Sequence, residues 1–390
     1  MRTMGNDAST SRYEPPGWTH WPGLPGWSAQ FLRVLGVAQE SAASIGECLL
    51  AASRMTPGDP ESWYVEWLRV AELNEERGEV ARRSGYRQSA QANLLRAASY
   101  YRAAEVLLAP ADPRRREVFG RMLAVSHLYL AQLSPAGERM TIGLEGVDYL
   151  DAYFLKPAGG DAAWPTVVCF GGLDSHKDEL LYRVTRHALS RGIAVLLLDL
   201  PGQGEALRMR GMANRVDLEV AVGGALDCLS TRADVDSKRL GVYGASLGGV
   251  YAARAAAFEK RIRAVVSDSL VFDLPTHLSG LLQEPDQGAW AMLQWVFGCH
   301  TPQEVVKKSE GLQMAGLIPQ IRCPYLIVQG EYDFLGLQTA VDAAACAREH
   351  GVAVDFKVFR AEETGASHCQ ADNPTLGQEW VWDWLAARLA

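Results

Sequence analysis

Short apolar runs that alternate with helical segments constrain the fold of this 390-residue chain most strongly. Two short strands are predicted at Met140–Leu144 and Tyr149–Phe154. Six further runs have the length and composition of buried parallel strands: Thr166–Phe170, Ala194–Leu198, Leu240–Tyr243, Ala264–Val266, Tyr325–Val328 and Ala353–Val358. Because strands that alternate with helices form mostly parallel sheets covered on both faces, residues 136–390 are predicted to be an eight-stranded α/β core.

Three segments outside the strands are predicted from turn residues and helical spacing. Residues 1–30 are rich in Pro, Gly and Trp, and we interpret them as an irregular arm whose tryptophans pack on the body or line a ligand site. Residues 31–135 are predicted to form a helical N-terminal (cap) domain, because Asp59-Pro60 and Asp112-Pro113 each place an N-cap acceptor before a proline. An insertion at about 270–320 is predicted to be a helical lid above the carboxyl ends of the strands.

The composition argues against several classes of function. The formal net charge is −8 and the sequence has no basic block, so a nucleic-acid partner is not expected. The longest apolar runs, such as Gly192–Leu198, are too short to span a bilayer, and the N-terminus lacks the apolar stretch of a signal peptide. Seven scattered cysteines without CxxC pairs fit reduced thiols better than disulfides or a zinc site. We therefore expect a cytoplasmic protein that acts on a small molecule without metal or cofactor.

The clearest chemical motif is Gly244-Ala245-Ser246-Leu247-Gly248-Gly249. It follows an apolar strand and precedes an Ala-rich helical stretch, which is the strand–turn–helix context of a nucleophile elbow. The tight turn holds the serine in a strained conformation, and side chains at positions 244 and 248 would collide with neighbouring elements. Ser246 is therefore the candidate nucleophile.

A serine nucleophile needs a base, and the base needs a carboxylate that orients it. Among eight histidines, only His368 follows the last predicted strand, in a loop before a final Trp-rich helix. Asp333 lies three residues beyond the strand that ends at Gly330 and is the expected acid. Glu331, in the same loop, and Asp268, after the preceding strand, are the competing acids.

The remaining parts of the site are predicted from backbone geometry. An oxyanion hole would use the N–H of Leu247 and that of Gly172 or Leu173, in the glycine-containing loop after the first parallel strand. The residues that follow, Asp174 to Glu179, either cap a helix or contact substrate. The D-x-x-G-x-G sequence at 199–204 is ascribed to turn geometry, without a catalytic role.

These motifs resemble the FrsA-like branch of the α/β-hydrolases. The resemblance rests on the elbow, on Gly171-Gly172-Leu173-Asp174-Ser175, on the Asp333 loop, on Gly365-Ala366-Ser367-His368-Cys369-Gln370 and on the helical segment 95–105. It covers roughly residue 60 to the C-terminus. The branch includes dihydroxypseudooxynicotine hydrolase, which cleaves a carbon–carbon bond, and fungal pigment enzymes that shorten polyketides.

The resemblance implies a substrate pocket between the N-terminal helices, the lid and the core, and it implies a homodimer. It leaves the reaction open between ester hydrolysis and cleavage of a carbon–carbon bond next to a carbonyl. The candidate substrate contacts are Asp174, His176, His277 and Tyr101. His176 stands where the branch has a small hydroxyl residue.

Three functions are compatible with these residues. The first is a serine hydrolase acting on an ester or β-dicarbonyl group of a specialised metabolite, with Ser246, Asp333 and His368 as the triad. The second is a tailoring lyase or cyclase that uses the same residues to expel an acyl group such as acetate or to close a ring while water is excluded. The third is a non-enzymatic binding protein on a hydrolase scaffold, against which the intact triad argues.

Overall fold

The computed structural model describes residues 20–144, 147–159, 163–173, 175–283 and 287–390. In these ranges, the helices that precede the first strand are α1 (Pro25–Gly36), α2 (Ile45–Ala52), α3 (Pro60–Arg83), α4 (Arg87–Glu105) and α5 (Pro113–Gln132). The side chain of Asp59 accepts a hydrogen bond from the backbone N–H of Glu61, and that of Asp112 from the N–H of Arg114. Both predicted helix starts are therefore confirmed.

Part of the predicted irregular arm is helical. Helix α1 begins at Pro25, because proline suits the first turn of a helix and the apolar side chains that follow are buried. Trp21 is only 8% exposed and meets Trp27 edge-on, with ring centroids 5.6 Å apart. Trp27 in turn contacts Trp63 of α3 at 5.1 Å. These two tryptophans pack on the body, whereas Trp18 lies outside the described residues.

Strands and helices alternate through the rest of the chain. In order they are β1 (Glu138–Leu144), β2 (Val147–Leu155), β3 (Trp164–Phe170), α6 (Lys177–Arg183), α7 (Thr185–Leu189), β4 (Ala194–Leu198), α8 (Gly204–Arg208), α9 (Leu218–Ser230), β5 (Val235–Ala245), α10 (Leu247–Phe258), β6 (Ile262–Asp268), α11 (Leu274–Leu281), α12 (Gln287–Phe297), α13 (Pro302–Ser309), β7 (Tyr325–Gly330), α14 (Leu337–Glu349), β8 (Val354–Phe359) and α15 (Pro374–Arg388). The strands of the described ranges form one sheet of order β1-β2-β4-β3-β5-β6-β7-β8. Only β2 pairs antiparallel with its neighbours, β1 and β4; the other pairs are parallel. The predicted eight-stranded, mostly parallel sheet is confirmed.

Helices α11, α12 and α13 lie between β6 and β7, where the helical insertion is predicted. The Thr301 hydroxyl accepts a hydrogen bond from the N–H of Glu304, whose carboxylate accepts one from the N–H of Thr301. This reciprocal pair is a capping box and fixes the start of α13. The apolar face of α12 is buried through Trp290, Leu293, Val296 and Phe297.

A buried ionic cluster joins the N-terminal helices, the sheet domain and the insertion. The Nε atoms of Arg115 and Arg208 both donate to Oε1 of Glu105, at 2.8 and 2.6 Å. The three charged side chains are at most 4% exposed. Both guanidinium groups also lie over the ring of Trp295 in α12, 4.9 and 5.4 Å from its centroid. The carboxylate of Glu105 thus connects α4, α5 and α8, and the two guanidinium groups that it binds contact α12.

We expect Glu105→Ala to destabilise the protein by about 3–5 kcal/mol, because it removes the carboxylate that two buried guanidinium groups share. Urea unfolding followed by circular dichroism measures the loss. Glu66→Ala is the matched control, because Glu66 pairs with Arg69, whose side chain is 38% exposed. Surface ion pairs of this kind contribute up to about 1 kcal/mol. Equal losses for the two variants would contradict the interpretation of the Glu105 cluster.

Candidate active site

The turn between β5 and α10 has the geometry of a nucleophile elbow. Ser246 has φ of +61° and ψ of −128°, a backbone conformation that residues other than glycine rarely adopt and that costs about 1–3 kcal/mol. A Cβ on Gly244 would lie 1.9 Å from the carbonyl oxygen of Gly248, and one on Gly248 would lie 2.3 Å from that of Gly171. Glycine is therefore required at both positions, and the serine side chain projects from the carboxyl end of β5.

His368 and Asp333 extend from Ser246 in one line of hydrogen bonds. The Nε2 atom of His368 is 2.9 Å from Oγ of Ser246, and its Nδ1 atom is 2.9 Å from each carboxylate oxygen of Asp333. The backbone N–H of Leu335 also donates to Asp333 at 2.9 Å and so orients its carboxylate. The structure brings together the three residues that the sequence nominates, from the ends of β5, β7 and β8.

The surroundings of His368 favour its protonated form. Burial alone lowers the pKa of an imidazole, but the facing carboxylate of Asp333 outweighs burial and raises the pKa of His368 well above its usual range. The side chain is 21% exposed, on the side that borders a cavity. The imidazole becomes an unprotonated base only as the pH rises through that raised pKa.

The two competing acids face other partners. Glu331 accepts a hydrogen bond from Arg360 at 3.0 Å on the surface. Asp268 is fully buried and accepts one from the hydroxyl of Tyr243 at 2.7 Å, and its burial raises its pKa. Asp333 is therefore the carboxylate that contacts the Nδ1 atom of His368.

The loop after β3 lies directly against the serine. A Cβ on Gly172 would be 2.6 Å from Cβ and 2.9 Å from Oγ of Ser246, so the backbone approaches as closely as glycine allows. Leu247 is the first residue of α10, and the first N–H groups of a helix have no acceptor within the helix. Leu173 borders the same cavity. The predicted oxyanion-hole residues are thus gathered around Ser246.

A cavity of about 910 Å³ opens above Ser246 and His368. Its walls come from α1, from the segment after α4, and from α11 and α12 of the insertion. They are mostly apolar and include Trp27, Leu107, Leu278, Trp290, Leu293 and Phe334. Among the described residues that line the cavity, none is Asp, Glu or Lys. This volume suits an organic molecule of drug size.

The four candidate substrate contacts have different locations. His277 of α11 lines the cavity, and Asp174 lies outside the described residues. His176 is 1% exposed, packs edge-on against Phe119 at 5.5 Å and is not among the lining residues. Tyr101 is also buried away from the cavity, with its hydroxyl bonded to Glu75. Neither His176 nor Tyr101 lines this cavity, because both side chains pack inward against neighbouring helices, and their part as substrate contacts stays a prediction.

Helix α1 contributes Trp27 to the cavity, in line with one of the two alternatives for the arm, and it contributes Arg33, which was not foreseen. Arg33 borders it, and its guanidinium donates two hydrogen bonds to Glu179 of α6, with Nε–Oε1 of 2.8 Å and Nη2–Oε2 of 2.6 Å. Burial alone would raise the pKa of Glu179, but the charges of Arg33, Arg102 and Arg183 outweigh burial and lower this pKa to about 2. Pro25 followed by apolar residues at helical spacing was the available signal for α1.

Within the described ranges, no group of three or more His, Cys, Asp and Glu side chains could hold a metal ion. In the same ranges no helix is long and apolar enough to cross a bilayer.

Comparison with known families decides the classification. The family model described as FrsA-like esterase matches residues 58–293. The chain belongs to the FrsA-like esterase family. The matched segment runs from the start of α3 into α12, so it includes the elbow and ends before Asp333 and His368. The hydrogen-bonded triad geometry is thus an observation independent of the family match.

Named relatives of this FrsA-like chain are fungal enzymes. The 20-hydroxy-prefusarin hydrolase FUS2 of Gibberella moniliformis is 34% identical over 346 residues, which cover 76% of this chain and 80% of the relative. Hydrolyase poxO of Penicillium oxalicum is 30% identical over 341 residues, covering 76% and 81%. The solved 2,6-dihydroxy-pseudo-oxynicotine hydrolase is 26% identical with a TM-score of 0.78, covering 91% of this chain and 95% of its own. The α/β-hydrolase fold and the predicted hydrolase class are confirmed.

Proposed function

We propose that this chain is a serine hydrolase that cleaves an acyl ester, or a carbon–carbon bond next to a carbonyl, in a small and largely apolar specialised metabolite. One observation carries the proposal. His368 is 2.9 Å from the hydroxyl of Ser246 and 2.9 Å from the carboxylate of Asp333, at one end of an apolar cavity. Two relatives are named as hydrolases of 20-hydroxy-prefusarin and of 2,6-dihydroxy-pseudo-oxynicotine, and these names support the choice of a metabolite substrate.

The reaction follows from the contacts of Ser246. His368 removes the hydroxyl proton as the oxygen of Ser246 attacks the substrate carbonyl, and Asp333 stabilises the imidazolium that forms. The carbonyl electron pair moves to the oxygen, which the N–H groups of Leu247 and of the Gly172 loop stabilise. Collapse of this intermediate leaves an acyl group on Ser246 and expels the leaving group, which takes the proton from His368. Water, activated by His368, then releases the acid.

The same steps apply to both bonds. From an ester the leaving group is an alkoxide, and from a β-dicarbonyl compound it is an enolate, since a carbonyl must stabilise the departing carbanion. The imidazolium of His368 supplies the proton in either case.

The lining of the cavity supports an uncharged or anionic substrate. Among the described lining residues there are two arginines: Arg33 is paired with Glu179, and Arg183 donates to the backbone oxygen of Cys369 at 2.7 Å. The described part of the walls has no carboxylate, so it offers a cationic substrate no counter-charge. The aromatic side chains of Trp27, Trp290 and Phe334 suit a planar or polyketide-like molecule.

Elimination is the second candidate, favoured by the mostly apolar walls from α1, α11 and α12. The relative named hydrolyase poxO is compatible with it. In that reaction the Ser246–His368 pair would remove a proton from carbon, a carbon–carbon double bond would form and a carboxylate such as acetate would leave, without addition of the oxygen of water.

Heavy-oxygen water separates the two reactions. We expect turnover of p-nitrophenyl butyrate in H₂¹⁸O to place one ¹⁸O atom in butyrate and none in p-nitrophenol, measured by mass spectrometry, because water attacks the acyl group on Ser246. A fluorophosphonate should label Ser246 in the same preparation. Absence of both turnover and labelling would contradict the proposal, and a metabolite turned over without ¹⁸O incorporation would establish the elimination.

A further inference from the structure

The side chain of Gln203 connects the loop after β4 to the loop that lies against Ser246. It is 2% exposed, and its Nε2 atom donates to the carbonyl oxygens of Gly171 and Gly172, at 2.5 and 3.0 Å. Its Oε1 atom accepts a hydrogen bond from the N–H of Leu200 at 3.2 Å. The carboxamide is thus held at one end by its own loop and bound at the other to two consecutive peptides.

Those two carbonyls determine where two N–H groups point. In a trans peptide the C=O of one residue and the N–H of the next lie in one plane and point in opposite directions. Fixing the oxygen of Gly171 therefore orients the N–H of Gly172, and fixing that of Gly172 orients the N–H of Leu173. Both N–H groups are directed away from Gln203, and they are the two alternative donors for the oxyanion hole.

Without the carboxamide, this loop would have few restraints on its peptide planes. Gly171 and Gly172 lack side chains that could fix them, and glycine has the widest range of backbone conformations. Close packing limits the position of the loop, since a Cβ on Gly172 would lie 2.6 Å from Cβ of Ser246. Packing sets the position of the loop, and Gln203 sets the rotation of its peptides.

The conformation of the Gln203 loop itself depends on other contacts. Asp199 accepts hydrogen bonds from the N–H of Lys177 at 2.7 Å and of Glu205 at 2.9 Å. Gly202 and Gly204 have φ of +87° and +39°, and a Cβ on Gly204 would lie 1.9 Å from the carboxylate of Asp199. These residues account for most of the turn geometry expected of the D-x-x-G-x-G sequence, to which the side chain of Gln203 adds one contact, with the N–H of Leu200.

We propose that Gln203 is a positioning residue of the oxyanion hole, which holds the peptides after Gly171 and Gly172 in the orientation that stabilises the transition state. The inference rests on the proposed function, because it requires Ser246 to act as the nucleophile. Gln203 is not among the residues that line the cavity and acts on the substrate only through the loop. Through Gln203, the loop after β4 thus takes part in catalysis, beyond the turn geometry that its sequence predicts.

The first test is Gln203→Met, which keeps the volume and removes both donors. We expect kcat for p-nitrophenyl butyrate to fall about 10- to 100-fold, less than the ~10²–10³-fold typical of deleting an oxyanion donor, because the N–H groups remain but are misoriented. KM should stay within about twofold, since the ground-state carbonyl depends little on the hole. The rate constant of fluorophosphonate labelling should fall with kcat, because phosphonylation also develops negative charge on oxygen.

The second test is Gln203→Glu, which is nearly isosteric. A carboxylate oxygen would face two carbonyl oxygens, so we expect a larger loss than with Gln203→Met at neutral pH. Protonation of the new carboxyl restores a donor, so the ratio of variant to wild-type kcat should rise as the pH falls. A purely structural role would not produce that pH dependence.

Asn74→Leu is the control, because Asn74 is another buried amide, bonded to the backbone oxygen of Val70 at 3.0 Å in α3, and it is not among the residues that line the cavity. It should lower the melting temperature and leave kcat and labelling unchanged. Folded Gln203 variants with wild-type kcat and labelling rates, or with only KM altered, would overturn the inference. Failure of the proposed function would look different, because the wild-type protein itself would not be labelled.

Discussion

Ser246→Ala is expected to lower kcat for p-nitrophenyl butyrate by about 10⁶-fold, the size of loss seen when a triad serine is removed. Without the hydroxyl, His368 has no proton to remove at 2.9 Å and no acyl-enzyme can form. The oxyanion-hole donors and the cavity remain, so a residual rate above that in water should persist. Initial rates at saturating substrate, on protein freed of wild-type contamination, measure the change.

Ser309→Ala provides the matched control. Ser309 is fully buried in α13, and its hydroxyl bonds to the backbone oxygen of Val306 at 2.6 Å, so its loss tests burial of a serine without touching the site. Its kcat should stay within about twofold of wild type. If Ser246→Ala retained comparable activity, the nucleophile would have to be another residue.

Asp333→Asn is expected to lower kcat by about 10⁴-fold while leaving the fold intact. The amide of the new side chain would donate to Nδ1 of His368, which places the remaining ring proton on Nε2. That nitrogen could then no longer accept the proton of Ser246. A cooperative thermal transition would show that the variant is folded and that the loss is chemical.

The same variant should shift the pH profile. In the wild-type protein Asp333 raises the pKa of His368, so kcat/KM should rise with pH through a value above the ordinary 6.5 of histidine. Removing the carboxylate lowers that pKa, and the acid limb of the residual activity should move to lower pH. The stabilisation from the His368–Asp333 pair has the opposite trend: it is fully present below pH 6.5 and is lost as the pH rises through the raised pKa.

Glu331→Gln is the control for Asp333→Asn. Its carboxylate lies two residues away in sequence but bonds to Arg360 and to the N–H of Ala361 on the surface. Its activity and its pH profile should match those of the wild-type protein. A fall of about 10⁴-fold in Glu331→Gln, with Asp333→Asn active, would reverse the assignment of the acid.

The reactive residues could be predicted because each lies at the end of a recognisable strand. The elbow has a local sequence signature, and the carboxyl ends of neighbouring parallel strands meet at one edge of the sheet. Glu331 remained a competitor of Asp333, because sequence gives the position of a side chain along a loop and not the direction in which it points. The contact with Nδ1 of His368 supplies that direction.

The cavity walls could not be predicted in the same way. Arg33 and Glu179 are 146 residues apart and meet only after α1 packs against the sheet domain. His176 and Tyr101 lie in segments that suggested a pocket, yet both point into the packing between helices. Such contacts depend on tertiary packing, which leaves little local pattern in the sequence. The expected homodimer and cytoplasmic location stay predictions.

The reactive residues and the cavity walls come from different parts of the chain, and this affects how the substrate specificity of such enzymes can change. Bond cleavage depends on Ser246, Asp333 and His368 at the ends of strands, whereas the shape of the chamber depends on α1, α11 and α12. Exchanging residues such as Trp27 or Trp290 would remodel the chamber without moving the strand ends. New substrates are therefore open to this scaffold through changes in its two outer walls, with the same reactive centre retained.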